Sequence, residues 1–78
     1  MSIKVVYFAS LKELLGHSET LLPTPTSTVS VIDIWQQANP DLTIPSNTLA
    51  AVNMEYVSLE YPIADNDEVA FFPPVTGG

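Results

Sequence analysis

The sequence of 78 residues predicts a single α+β domain, in which a mixed sheet of four or five strands packs on one main helix. A short second helix is expected directly after the first strand. Three observations support this fold class. Runs of β-branched and aromatic residues occur near both ends of the chain, one central segment repeats apolar residues with the helical period, and prolines and asparagines separate these segments.

Two strands joined by a short helix are predicted to open the chain. Ile3 to Phe8 is rich in β-branched and aromatic residues, which favour strands. Ser10 to Glu13 fits a capping box, with leucines at helical spacing before Gly16, which would stop the helix. Residues 18–22 can form the second strand, so the two strands would make a hairpin connected by the short helix.

The main helix is predicted in the middle of the chain. It begins after Thr28 or Ser30, either of which can cap a helix, and it ends at Asn39, which precedes a proline. Four apolar residues share one helix face at i, i+3, i+4 and i+7: Val31, Ile34, Trp35 and Ala38. This stripe predicts a helix that buries one side against the sheet.

The second half of the chain contains short strands and turns. Residues 41–48 are expected to be irregular, and residues 62–67 to form a turn in which Asn66 takes a left-handed conformation. Strands are predicted at residues 49–52, at residues 56–59 and, last, at residues 68–72.

This order of elements matches the β-grasp fold, the arrangement of ubiquitin. A hairpin comes first, the main helix crosses over, and the first and last strands would lie parallel at the centre of the sheet. The β-grasp domain is predicted over residues 1–72, and an extended, flexible C-terminal tail over residues 73–78.

Alternation along the two central strands predicts an apolar patch on the sheet face away from the helix. Every second side chain of a strand shares a face. If Lys4 points away from the helix, four apolar residues point away with it: Val6, Phe8, Ala70 and Phe72. An exposed apolar patch indicates a binding surface. Two alternatives are open: both faces of the central strands are covered, or the assumed register is wrong by one residue.

Composition limits the classes of partner. The chain has nine acidic residues, two lysines and a net charge of −7, which argues against binding to nucleic acid or anionic membranes. A basic protein surface is the complementary partner, although the acidity can equally serve solubility alone. The sequence has no cysteines, no signal peptide and no apolar stretch near the roughly 20 residues of a membrane span. We therefore expect a cytoplasmic protein.

Side chains that could support catalysis or hold a metal are few. His17 is the one histidine, and a single imidazole is a weak ligand set, so a surface position is the favoured interpretation. Asp65, Asp67 and Glu68 cluster, but they lack the ligand number and spacing of a calcium loop, and a solvated turn fits them better. The sequence therefore predicts no metal site, no bound cofactor and no catalytic side chain.

The last six residues carry the remaining reactive group. Pro73 and Pro74 cannot continue a central strand, so the chain is expected to leave the sheet in an extended form after Phe72. Gly77 and Gly78 have no Cβ and fit a narrow channel, and adenylation by ATP would turn the carboxylate of Gly78 into a good acyl donor. A frayed end without a role is the alternative interpretation.

Residues 67–78, DEVAFFPPVTGG, resemble the ending of the small subunit of molybdopterin synthase. Residues 49–53 resemble the middle strand of that family, and parts of residues 8–13 resemble its opening. Two positions depart from the family pattern. Asn66 stands where Gly is usual, and Lys12 stands where Arg is common, which would weaken a bidentate contact with a partner.

The resemblance implies a ubiquitin-like sulfur carrier of molybdenum cofactor biosynthesis. A ubiquitin-activating-like adenylyltransferase would use ATP to adenylate Gly78, and a sulfur donor would convert it to a thiocarboxylate. Sulfur would pass to cyclic pyranopterin monophosphate inside the large synthase subunit, which holds the catalytic residues, in a complex of two small and two large subunits. Gly77 would lie in the partner's channel. The implied partner-binding residues are Phe8, Lys12, Phe72, Pro73, Pro74, Val75 and Thr76.

Two other functions are compatible with the sequence. The sulfur carrier of thiamine biosynthesis shares the fold and the Gly-Gly end, although the Phe-Phe-Pro-Pro stretch favours the molybdenum pathway. A β-grasp interaction module whose tail carries out no chemistry is the second alternative. In each case the chain is expected to lack catalytic residues of its own.

Overall fold

The computed structural model describes residues 2–74, which form an α+β domain. The elements, in chain order, are β1 (Ser2–Tyr7), α1 (Ser10–Leu15), β2 (Glu19–Pro23), β3 (Val29–Ser30), α2 (Val31–Ala38), β4 (Leu49–Val52), β5 (Glu55–Val57), β6 (Pro62–Ile63) and β7 (Glu68–Phe72).

The main sheet has five strands in the order β2-β1-β7-β4-β5, and β3 and β6 form a separate two-stranded ribbon. β1 and β7 are parallel neighbours at the centre of the sheet, while the remaining pairs of the sheet are antiparallel. The predicted β-grasp order is confirmed, with five strands in the main sheet. The division between a domain of residues 1–72 and a tail of residues 73–78 stays a prediction.

One face of the sheet and the inner side of α2 enclose the hydrophobic core. Three of the four residues of the predicted helix stripe are fully buried: Val31, Ile34 and Trp35. They pack with buried residues of the central strands, Ile3, Val5, Tyr7, Val69 and Phe71. Trp35 also ties the helix to the next loop, because its Nε1 donates a hydrogen bond of 2.8 Å to the carbonyl oxygen of Leu42.

Side-chain hydrogen bonds define both ends of α2. Ser30 is its N-cap, as one of the two predicted alternatives, and the backbone N–H and Oγ of Ser30 donate to Oδ2 of Asp33 at 2.9 and 3.0 Å. At the other end, Nδ2 of Asn39 donates to the hydroxyl oxygen of Tyr7 at 3.2 Å. Burial raises the pKa of Tyr7, and the hydrogen bond from Asn39 opposes that shift.

The start of α1 differs from the prediction. The capping box between Ser10 and Glu13 is wrong, because Ser10 is already the first helical residue and Ala9 precedes the helix without a side-chain cap. Ala9 has φ 54° and ψ −128°, a backbone conformation that costs a residue with a Cβ on the order of 1 kcal/mol or more. The predicted stop at Gly16 is confirmed, with φ 80°.

Two corrections concern the second half of the chain. The segment 62–67 is not only a turn, because Pro62 and Ile63 form β6 and pair with β3, which the sequence does not predict. β5 begins one residue earlier than expected and ends at Val57. The left-handed conformation of Asn66 is confirmed, with φ 66°.

Neighbouring valines in β1 offer a test of the two faces of the sheet. Val5 is fully buried and Val6 is half-buried on the opposite face. Val5→Ala should lower the free energy of unfolding by about 2 kcal/mol, and Val6→Ala by less than about 1 kcal/mol. Urea unfolding of both variants, with equal m-values, measures the difference. Equal losses would contradict the assignment of the faces.

Candidate functional site

A shallow apolar groove lies on the open face of the sheet, opposite α2. Its floor consists of Ala51 and Ala70, which are register partners on β4 and β7. Five larger residues complete the groove, whose volume is about 250 Å³: Phe8, Met54, Tyr56, Glu68 and Phe72. The depression exists because two small side chains occupy the centre of the sheet while aromatic residues surround them.

Three aromatic rings form most of the wall of the groove. The ring of Phe72 stacks on that of Phe8, with centroids 4.8 Å apart and an interplanar angle of 3°, and its centroid lies 5.8 Å from that of Tyr56. Phe8 is 44% exposed and Tyr56 is 74% exposed. We call Phe8, Ala51, Tyr56, Ala70 and Phe72 the aromatic patch. Exposed contiguous apolar surface of this kind marks interaction sites.

The structure decides between the interpretations of the open face. Ile3, Val5 and Tyr7 are buried against the helix, whereas Phe8 on the alternate face is exposed, so the predicted register is confirmed and the shift by one residue is wrong. Coverage of both faces is also wrong among the described residues, since α2 covers one face. That Phe8 and Phe72 bind a partner stays a prediction.

The sequence patterns do not predict three residues of the groove, which are Ala51, Met54 and Tyr56. Ala51 pairs with Tyr56 across β4 and β5, which places both on the open face beside Ala70. This register depends on a two-residue turn at Asn53 and Met54, both with positive φ. Hairpin turns of this type usually contain glycine. Because this turn has none, its position, and with it the register of β4 against β5, could not be predicted from the sequence.

The aromatic patch lies where the chain leaves the sheet. Phe72 ends β7, and Pro73 and Pro74 follow it. The two prolines also line a second apolar groove, of about 300 Å³, between α1 and the loop before β4; its other lining residues are Ser10, Leu11, Leu14, Pro45 and Thr48. The implied site residues Val75, Thr76, Gly77 and Gly78 lie outside the described residues, so their roles stay predictions.

Charged side chains border the open face. Glu68 lines the groove, whereas Glu55, exposed at the start of β5, is the register partner of the core residue Val52 and so belongs to the opposite face of the sheet. Lys4 is the register partner of Glu68 on the neighbouring strand, and its Nζ forms an exposed ion pair with Oε2 of Glu19 at 3.4 Å. Lys12 is exposed on α1 and does not line either groove. Among the described residues, Glu68 is therefore the charged side chain that lines the groove, and Lys4 neighbours it on β1.

The acidic cluster before β7 braces a turn. Oδ1 of Asp67 accepts a hydrogen bond of 2.9 Å from Nδ2 of Asn53, and Oδ2 accepts one of 2.7 Å from the backbone N–H of Ala64. Asp65 accepts a hydrogen bond from the hydroxyl of Thr24. The bond from Asn53 connects the β6–β7 loop to the β4–β5 turn, and the bond from Thr24 connects it to the loop after β2, so Asp65 and Asp67 have a structural role.

Neither a metal centre nor a membrane-spanning helix is found in residues 2–74. No group of three or more His, Asp or Glu side chains in that range is arranged to hold a metal ion. His17 instead makes an edge contact with the ring of Tyr7, with centroids 5.4 Å apart. No helix of the described range is long and apolar enough to cross a bilayer.

The parallel central strand pair, the crossover helix and the five-stranded order define a ubiquitin-like β-grasp protein. Within this class, the chain belongs to the ThiS family, whose model matches residues 5–78. It is 43% identical to the molybdopterin synthase sulfur carrier subunit of Escherichia coli (strain K12), over 97% of this chain and 99% of that protein.

Solved structures share the fold. SAMP1 from Haloferax volcanii is 27% identical, with a TM-score of 0.76 and full coverage of both chains. A chain from the complex of subunits 1 and 2 of the molybdopterin-converting factor from Helicobacter pylori 26695 is 18% identical, with a TM-score of 0.64 and full coverage of both chains. The second likeness concerns the fold alone.

The stack of Phe8 on Phe72 can be tested by a double-mutant cycle. We expect Phe8→Ala and Phe72→Ala to show a coupling of about 0.5–1 kcal/mol in urea unfolding, because each ring loses its stacking partner when the other is removed. Tyr61→Ala serves as the control partner for Phe8→Ala, since Tyr61 is also exposed but lies beside the start of α2. Additive losses for the two phenylalanines would contradict the stack.

Proposed function

We propose that this protein carries sulfur in molybdenum cofactor biosynthesis, as a thiocarboxylate on Gly78. The observation that carries the proposal is the position of the aromatic patch, which lies beside the last residue of β7 and so directly precedes the six residues that end in Gly77 and Gly78. Support also comes from the family match through residue 78 and from the E. coli relative, whose name is molybdopterin synthase sulfur carrier subunit.

The proposed chemistry uses the main chain of Gly78. Its carboxylate attacks the α-phosphorus of ATP on a ubiquitin-activating-like adenylyltransferase, which forms an acyl adenylate and releases pyrophosphate. A donor that delivers sulfur at the oxidation level of sulfide then displaces AMP and leaves a thiocarboxylate. Because glycine has no side chain, its carboxylate has open access to ATP and its acyl carbon is open to the sulfur donor. ATP is a substrate of the activating enzyme, and this chain needs no cofactor of its own.

Sulfur transfer takes place in the large subunit of molybdopterin synthase. The thiocarboxylate sulfur attacks a carbon of cyclic pyranopterin monophosphate and displaces an oxygen, which leaves a thioester between Gly78 and the pterin. Water then hydrolyses this thioester, so the sulfur stays on the pterin and Gly78 returns to a carboxylate. The two sulfurs of the dithiolene therefore require two loaded carriers. The aromatic patch docks the carrier, and Pro73 and Pro74 begin the tail that reaches the partner's channel. A complex of two small and two large subunits, located in the cytoplasm, completes the proposal.

The large subunit is the partner that the surface fits best. The aromatic patch is apolar in its centre and carries Glu68 on its rim, and the chain has a net charge of −7. A partner with an apolar centre and basic rim is complementary to this surface. The H. pylori chain of the same fold comes from a complex of subunits 1 and 2 of the molybdopterin-converting factor, which agrees with a partner of this kind.

The identity to the E. coli carrier favours the molybdenum pathway over thiamine biosynthesis. The family is named after ThiS, but the alignment with the molybdopterin synthase sulfur carrier extends over 97% of this chain. A β-grasp module without tail chemistry is the competing proposal. It predicts the same docking but no modification of Gly78.

Intact-mass spectrometry tests the chemistry of Gly78. After incubation with the cognate activating enzyme, ATP and a sulfur donor, the mass should show one oxygen replaced by sulfur, and fragmentation should place the change at Gly78. Deletion of Gly78 should abolish the mass change and leave the urea unfolding midpoint unchanged, because the deleted residue follows the last strand. An unmodified wild-type chain beside an activating enzyme that is verified as active would sink the sulfur-carrier mechanism.

Docking is tested with Phe72→Asp. A charge placed in the centre of the aromatic patch should weaken binding to the large subunit at least about 30-fold, because it removes an aromatic anchor and leaves a carboxylate in an apolar interface. Isothermal titration calorimetry measures the affinity, and urea unfolding gives the stability of the same variant. A variant that loses stability but retains the wild-type affinity would show that Phe72 has a role in the core alone.

A further inference from the structure

The turn between β4 and β5 places a methionine in a backbone conformation that favours glycine. Asn53 and Met54 have φ of 51° and 73°, and the residues on either side, Val52 and Glu55, are register partners. Two successive residues with positive φ are the pattern of a type I′ hairpin turn, whose second position is usually Gly. Asn tolerates this conformation because its short amide side chain bonds locally, but Met has no such compensation.

Hydrogen bonds on both sides hold this turn in place. The backbone N–H of Asn53 donates to the carbonyl oxygen of Glu68 at 2.9 Å, and the backbone N–H of Glu68 donates to Oδ1 of Asn53 at 3.0 Å. Nδ2 of Asn53 donates to Oδ1 of Asp67 at 2.9 Å. The turn geometry is thus imposed by Asn53 and its partners, and Met54 contributes none of these bonds.

The side chain of Met54 contributes little to the stability of the isolated domain. It is 94% exposed, so it buries almost no apolar surface. It nevertheless lines the same groove as Phe8, Tyr56 and Phe72. Backbone strain combined with an exposed apolar side chain is a cost to the monomer, and costs of this kind concentrate at functional sites.

We propose that Met54 is a specificity-determining contact for the large-subunit partner, an inference that rests on the proposed function. Leu49, at the start of β4, lies opposite Phe72. Val52, at the other end of β4 and next to the turn, lies opposite Val69. Met54 therefore extends the aromatic patch along β7, away from the end that leads into the tail. The docked surface spans the length of the sheet instead of its tail end alone.

The occupant of this end of the groove is an apolar surface of the large subunit that is bordered by Lys or Arg. Glu68 lines the groove together with Met54, and the chain has a net charge of −7. An apolar side chain beside a carboxylate, on an acidic chain, fits a partner with an apolar depression and a basic edge. The unbranched thioether of methionine adapts to an irregular surface, which suits a contact at the margin of an interface.

Isothermal titration calorimetry with the purified cognate large subunit tests the inference. Met54→Gly removes the side chain and relieves the backbone, so the dissociation constant should rise about tenfold while the Tm stays equal or rises by up to about 5 °C. Asn66→Gly is the matched control, because it introduces glycine at another exposed residue with positive φ that does not line the groove. Its dissociation constant should stay within about twofold of the wild-type value.

Each other result overturns the inference in a distinguishable way. If Met54→Gly binds within twofold of wild type while Phe72→Asp binds weakly, Met54 has no role and the proposed function stands. If wild type itself does not bind, both the inference and the proposed function fail. If Met54→Gly lowers the Tm in proportion to its loss of affinity, the role is structural. If sedimentation shows a wild-type dimer that Met54→Gly abolishes, the side chain contacts a second copy instead.

Discussion

The parallel pairing of β1 with β7 is the interaction on which the rest of the structure depends. Parallel neighbours require a long connection, and α2 is the helix of that connection. The helix covers one face of the central pair and buries Val5 and Phe71 to completion. The same geometry leaves the other face open. The core and the aromatic patch are thus two results of one pairing, separated by a single residue along each strand.

Much of this fold is readable from the sequence because its strongest signals are periodic. The apolar stripe of α2 and the alternation in β1 and β7 both extend over enough residues to identify the buried side. The short pieces are not readable in this way. β3 and β6 have two residues each, and they pair with each other through Val29 and Ile63, far apart in the sequence. Such pairing leaves no periodic pattern in the sequence.

The residues of the candidate site also differ in whether the sequence predicts them. Phe8 and Phe72 follow from alternation in the two long strands, whereas Tyr56 depends on a register set by a turn without glycine. The misplaced capping box has a related cause. Ala9 takes a conformation that sequence rules reserve for glycine, so the helix starts one residue earlier than its side chains indicate. Strained positions mark where local preference gives way to the geometry of the whole domain.

The groove exists because the side chains of Ala51 and Ala70 are small. Each lies on a sheet strand where β-branched residues have the higher propensity, so valine at either position would favour the strand and fill the depression at once. A substitution that raises the strand propensity at either position would therefore also remove the groove. If both alanines persist in evolution, that would indicate selection for binding to a partner, because selection for stability alone would favour larger side chains at these positions.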